Sequence, residues 1–179
     1  MGVLPGGYEI GMARPEELAD LCEIEIAAAA MFPSEYLAPE LRERGLPLSF
    51  FEDVASSGRL WVVRTVEPVA PVGFAAVILL DGSAHLHELD VLPAHGRRGI
   101  GRALVLRVAQ WARASGFAAL TLSTFRDLPW NEPFYASLGF AEIADRDLGP
   151  EFRAAMLKEA EQGLDPGRRV AMRLDLAAA

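Results

Sequence analysis

The chain has 179 residues, 51% of them apolar and 23% charged, with a net charge of −8 and a pI near 4.9. That length suits one domain, residues 1–179 with a core from about 8 to 176, large enough for a sizeable interior. The acidic balance argues against nucleic acid or an anionic membrane as partner and favours a cationic substrate.

Residues 1–7 show no basic segment followed by an apolar run, so no export signal is expected, and Gly6 stands where a myristoylated Gly2 needs a hydroxyl. No stretch approaches the length of a membrane span. Tyr8 to Met12 reads as a short strand, and Arg14-Pro15-Glu16-Glu17 as a helix entry with proline and acids in the first turn. Leu18, Leu21, Cys22 and Ala29 form an apolar stripe that contains Glu25, a carboxylate that must be paired, at an edge, or facing a pocket where it holds a substrate amine. Cys22 is the only cysteine, which rules out an internal disulfide and suits a reducing cytoplasm. It reads as a small hydrophobe rather than a nucleophile. Phe32 to Pro47 is broken by Pro33, Pro39, Gly45 and Pro47 into loops and a short helix, about Ala38 to Arg44. Exposed Phe32 and Tyr36 are read there either as an aromatic wall for a substrate or as helix packing.

Leu48 to Ser56 is expected to be helical. Leu60 to Val66 and Val72 to Leu80 read as strands joined by a turn holding Pro68 and Pro71, and Asp81-Gly82 signals a hairpin into the next strand. Leu86 to Leu92 suits a strand stopped by Pro93, and from Ile100 the apolar spacing turns helical up to Gly116. Ala118 to Thr124 is a strand and Asp127 to Trp130 a loop, followed by Asn131 as N-cap of a short helix, Glu132 to Leu138. A helix over about Pro150 to Gln162, a last strand from Val170 to Leu176 and an alanine tail complete the chain. Strands alternating with crossover helices around a mainly antiparallel set point to a mixed α/β (α+β) domain.

The run from Pro93 to Leu104 carries the chemistry. A glycine-rich turn feeding a helix aims unpaired N–H groups and the positive dipole end at one point, which favours a phosphate, and Arg97, Arg98 and Arg102 add charge. Gly96 and Gly101 have P-loop spacing, yet Arg102 and Ala103 stand where that motif needs Lys and a hydroxyl. Leu104 occupies the third glycine of a dinucleotide fingerprint. Gly96-Arg97-Arg98-Gly99-Ile100-Gly101 instead resembles the acyl-CoA diphosphate loop of the GNAT acetyltransferase superfamily, whose pattern is Gln/Arg-x-x-Gly-x-Gly/Ala. Gly96 departs at the first position, which removes one side-chain contact and leaves the backbone donors. Asn131-Glu132-Pro133-Phe134-Tyr135-Ala136-Ser137-Leu138-Gly139-Phe140 resembles the second signature of that superfamily.

The resemblance implies a sheet splayed between its fourth and fifth strands with helices on both faces. It also implies acetyl-CoA as cosubstrate, with Leu89, Asp90, Val91, Arg97, Arg98, Gly99, Ile100, Gly101, Arg102, Thr124, Asn131, Phe134 and Tyr135 as cofactor contacts. Tyr135 is then the group that meets the departing thiolate. Acetylation needs a neutral amine, and free alkylamines titrate near ~10.4, so a base is required. His85 and His87, two apart on a strand, share a face with Leu89 and Val91, while Glu88 and Asp90 point the other way. Ala84-His85-Leu86-His87 is similar to arylalkylamine N-acetyltransferases, where such a pair relays the amine proton. A packed core histidine and a two-histidine metal site are the other readings, and the latter lacks a third ligand. The expectation is an N-acetyltransferase acting on a small primary amine in the cytoplasm, without metal, nucleic acid or membrane, and with a homodimer left open. Glu25, Phe32, Tyr36 and Phe125 are taken as substrate contacts. Acetylation of a protein N-terminus or lysine, and an acyl-CoA-binding module without catalysis, are the alternatives.

Overall fold

The computed structural model describes residues 4–176, so the readings on Gly2 and on the tail at 177–179 lie outside the described residues. In the order in which they lie, the strands are β1 (Tyr8–Met12), β2 (Leu60–Val66), β3 (Val69–Leu80), β4 (Ser83–Val91), β5 (Ala119–Phe125), β7 (Arg169–Asp175) and β6 (Ala141–Glu142). The chain forms two compact units. One holds the chain up to Ile78 and His87–Val108, the other Leu79–Leu86 and the chain from Ala109.

In the first unit, β1 (Tyr8–Met12) pairs antiparallel with β2 (Leu60–Val66), and β2 with β3 (Val69–Leu80). The strand β2 is buried on both faces, which is why it reads as an almost continuous apolar run. Two helices, α1 (Leu18–Ala29) and α3 (Leu48–Ser56), bring Leu18, Leu21, Ile24, Phe51 and Val54 onto Leu60, Val62, Phe74 and Ala76, giving this unit its core. Between them lies α2 (Pro39–Arg44). The one charge inside β2, Arg64, is almost completely buried and binds the carboxylate of Glu17 and the carbonyl of Met12. Burial alone would raise the Glu17 carboxyl. The hydrogen bond from Arg64, the N–H of Arg14 and the charge of Arg64 outweigh it and hold Glu17 below the usual range.

The turn after β2 is tighter than its prolines suggest. Pro68 follows a cis bond, β3 already starts at Val69, and Pro71 sits inside the strand opposite Arg64, where the register shifts. A bulged position tolerates a residue that has no N–H to give to the ladder.

The second unit contains the start of β4 (Ser83–Val91), entered from Asp81-Gly82 with φ of 49° and 71°, the pair of left-handed residues a tight hairpin requires. This turn starts the strand three residues before the expected Leu86. β4 runs parallel to β5 (Ala119–Phe125) with Ala84 opposite Leu120 and His85 opposite Thr121. β5 pairs antiparallel with β7 (Arg169–Asp175), and β7 with β6 (Ala141–Glu142), a two-residue strand that the sequence pattern does not reveal. The sheet is therefore mixed and mainly antiparallel, as expected.

Three more helices complete the chain: α4 (Ile100–Ala114), α5 (Glu132–Ala136) and α6 (Pro150–Glu161). The first turn of α6 is capped from a distance, since the Asp81 carboxylate accepts from the N–H groups of Glu151 and Phe152 at 3.0 and 2.9 Å, and Glu151 in return accepts from the N–H of Asp81. Among the described residues no helix is long and apolar enough to cross a membrane.

Candidate functional site

The loop between β4 and α4 makes a 3-10 turn over Pro93–His95 and then bends through Arg97 at φ 56° and Gly99 at φ 83°. A left-handed arginine is uncommon and marks a backbone shaped for a purpose. The first intrahelical hydrogen bond of α4 runs from Ala103 N–H to the Gly99 carbonyl at 3.0 Å. The amides of Ile100, Gly101 and Arg102 therefore have no carbonyl one turn back in the helix, and together with the dipole they favour an anion. A side chain at Gly99 would meet nothing within 4 Å, so the backbone there is open to a ligand. Arg97, Arg98 and Arg102 are exposed around the loop, and Ile100 is buried beneath it as the first apolar anchor of the helix. These features fit a diphosphate group.

Ahead of the loop, Leu89, Asp90 and Val91 are half-buried at the end of β4. Gly73 of β3 lets the two backbones approach, for a Cβ there would lie 2.8 Å from the Asp90 carbonyl and 3.1 Å from Val91. The Oδ2 atom of Asp90 is buried without a hydrogen-bond partner. Burial, and then the charge of Glu25, push the Asp90 carboxyl up to about 8. Glu25 accepts from the N–H of Leu46 at 2.8 Å through one oxygen and 3.1 Å through the other, and burial raises it too, against the pull of that bond. The carboxylate that interrupts the α1 stripe is thus paired to backbone. Cys22 packs against the core with its thiol on the Leu18 carbonyl, and burial and the charge of Glu25 raise it, which removes thiolate character. Phe32 and Tyr36 are half-buried rather than exposed. His87, also half-buried, has its ring 5.1 Å from that of Phe50.

In the second unit His85 is 3% exposed. Its Nδ1 lies 3.0 Å from the Thr121 hydroxyl, which donates to the Ala84 carbonyl, and its ring stands edge-on to Phe152 of α6 at 4.7 Å. Asn131 does not cap α5 with its side chain. Its amide instead donates to the Thr124 hydroxyl at 2.9 Å, so the structure joins two expected cofactor contacts to each other and ties the end of β5 to α5. Tyr135 is half-buried between the rings of Phe134 and Phe140, at 5.0 and 5.7 Å. Phe125 is 4% exposed and has the Arg169 guanidinium 4.8 Å from its ring centre, so that face is spent on an internal contact.

Sequence reasoning missed two residues near the loop. Tyr8 of β1 and His95 hydrogen-bond at 2.8 Å, and Arg98 reaches the same hydroxyl at 3.0 Å. Nothing local in the sequence links positions 87 residues apart; only the fold does. Among the described residues no three His, Cys, Asp or Glu side chains are grouped to hold a metal.

Comparison with known proteins supplies the remaining finding. The sequence profile of the acetyltransferase (GNAT) family matches residues 21–140. The ribosomal-protein-S18-alanine N-acetyltransferase from Escherichia coli superposes with a TM-score of 0.67 at 21% identity, covering 96% of each chain. PaiA N-acetyltransferase from Thermoplasma acidophilum, solved in complex with coenzyme A, gives 0.65 at 18% identity over 94% of this chain and 98% of that one. YncA, a putative acetyltransferase from Salmonella typhimurium solved with acetyl-CoA, gives 0.68 at 20% identity over 97% and 96%.

Proposed function

The chain belongs to the GNAT acetyltransferase family, and from that premise we propose that this acetyl-CoA-dependent enzyme acetylates a small primary amine by direct transfer. The observation that carries the reading is the α4 entry, where a left-handed arginine and glycine precede three helix-terminal amides among three arginines. Acetyl-CoA supplies the acetyl group as a thioester when bound. Arg97, Arg98, Gly99, Ile100, Gly101 and Arg102 would hold its diphosphate, and Leu89, Asp90 and Val91, and in the other unit Thr124, Asn131 and Phe134, are the further residues proposed to contact it.

Tyr135 would offer its phenolic proton to the thioester sulfur. A phenol titrates near ~10 and a thiol near ~8.5, so full transfer is uphill by roughly 2 kcal/mol, and Tyr135 serves as a hydrogen-bond donor to the developing thiolate. His85 and His87 take the proton from the amine. A neutral imidazole suits that task at working pH. For His85 the Thr121 hydroxyl fixes the ring through Nδ1. Glu25, Phe32 and Tyr36 meet the acceptor, residues 1–179 act as a single catalytic domain, and the enzyme works in the cytoplasm.

The test is thiol release from acetyl-CoA with a panel of arylalkylamines, polyamines, amino acids and short peptides. Acceleration by a small amine supports the reading. Acceleration by peptides alone reassigns the acceptor to protein, and binding of acetyl-CoA with no acceleration by any amine reduces the chain to a binding module.

A further inference from the structure

We infer that Tyr8 is a positioning residue for the diphosphate loop, acting through a three-residue clasp with His95 and Arg98. Arg98 has only protons to give, so the Tyr8 oxygen accepts from its Nη1 at 3.0 Å, while Nη2 donates to the Ala94 carbonyl at 3.2 Å. The Tyr8 hydroxyl then has its own proton for His95 Nδ1 at 2.8 Å, an arrangement in which the imidazole proton sits on Nε2. The rings of Tyr8 and His95 meet edge to face with centres 5.7 Å apart.

The clasp grips the loop at two points, the end of the 3-10 turn at His95 and the residue before Gly99. Arg97, the left-handed residue, stands between them. The anchor itself is firm. Tyr8 sits opposite Thr65 at the start of β1, and Gly7 accepts from the N–H of Val66 just before it. A loop that must present several amides to one ligand loses affinity when it samples other shapes, because the ordering cost then falls on binding. Holding Arg98 in place also fixes one cation of the loop without help from the ligand. Gly96 removes the side chain usual at the first motif position, and the Tyr8 hydroxyl, delivered from another strand, supplies an external hold on the loop in its stead.

This inference rests on the reading of the loop as the diphosphate site, and the two are separated by measuring binding of coenzyme A by calorimetry to wild type, Tyr8→Phe, Arg98→Met, Arg102→Met and the double variant Tyr8→Phe with Arg98→Met. Phe keeps the edge-to-face ring contact and removes only the hydroxyl. Tyr8→Phe is expected to weaken coenzyme A binding by about 5- to 10-fold, with melting temperature and kcat close to wild type. In the Arg98→Met background the same change is expected to have a smaller effect, about twofold to threefold, since the hydroxyl keeps only His95 as its partner in the loop. Dephospho-coenzyme A, which keeps the diphosphate, should show the same loss with Tyr8→Phe. Unchanged affinity in Tyr8→Phe alongside weakened binding in Arg102→Met overturns the clasp and leaves the loop standing, as do additive effects of Tyr8→Phe and Arg98→Met. Unchanged affinity in all variants overturns both.

Discussion

Asp90 shows how far a single side chain departs from its sequence reading. Alternation on β4 sets it opposite the histidines, and the structure leaves its Oδ2 buried and unpaired with a carboxyl raised to about 8. The unfolded chain gives up this proton near pH 4 while the folded chain keeps it to about pH 8, so the unfolded state binds fewer protons in between and stability falls as pH rises through that window. Asp90→Asn is expected to lose less stability between pH 5 and pH 8 than wild type in urea unfolding; parallel curves would show that Asp90 does not set the slope. Tyr135 makes the second residue-scale prediction. Tyr135→Phe keeps the packing on Phe134 and Phe140 and removes the donor. It should lower kcat by about 10-fold or more while affinity for coenzyme A changes less than about twofold. Equal losses in both would mark Tyr135 as a packing residue.

Elements in this chain are held by groups that lie far from them in sequence. The strongest case is α6, whose first N–H groups are satisfied by Asp81 from the hairpin before β4. Phe152, the residue that meets His85, follows directly from that cap. Gly149 leaves the space the carboxylate occupies, since a Cβ there would overlap it. Gly149→Ala is expected to cost about 1 to 2 kcal/mol in urea unfolding, the worth of an N-cap with its dipole contribution. In an Asp81→Gly background, where the left-handed turn is kept and the carboxylate is gone, the same change should cost almost nothing. Equal costs in both backgrounds would refute the cap. Glu159 secures the other end of α6, accepting from the Ser123 hydroxyl of β5 at 2.6 Å and from Arg169 of β7 at 3.0 Å.

At the scale of the whole molecule, a net charge of −8 goes with a loop that carries three arginines. If the acceptor is the proposed amine and arrives protonated, the net negative charge attracts it, and salt shortens that field from a Debye length of about 30 Å at 0.01 M to about 8 Å at physiological ionic strength. The KM of a dicationic amine should therefore rise over this range while that of an amine without net charge stays level; indistinguishable salt dependence would remove steering from the account. The two signature runs, the strands that flank them and the helices α1, α3, α4 and α6 were legible in the sequence because each is written in local terms: apolar period, glycine at a left-handed turn, proline at an end. The two-residue β6 was not, having no period of its own, and Pro71 inside β3 contradicted a local rule that a register shift relaxes. By itself the sequence determined the fold class, the family and the glycine-arginine loop that opens α4, since backbone geometry there follows from neighbouring residues. Only the tertiary structure decided that Tyr8 hydrogen-bonds with His95 and Arg98 of that loop, that Asn131 serves Thr124 instead of its own helix, that Glu25 accepts from the Leu46 amide and that Asp90 Oδ2 is buried without a partner. Hydrogen-bond partners and burial are properties of chain segments brought together from a distance, and local pattern carries no record of who the partner will be.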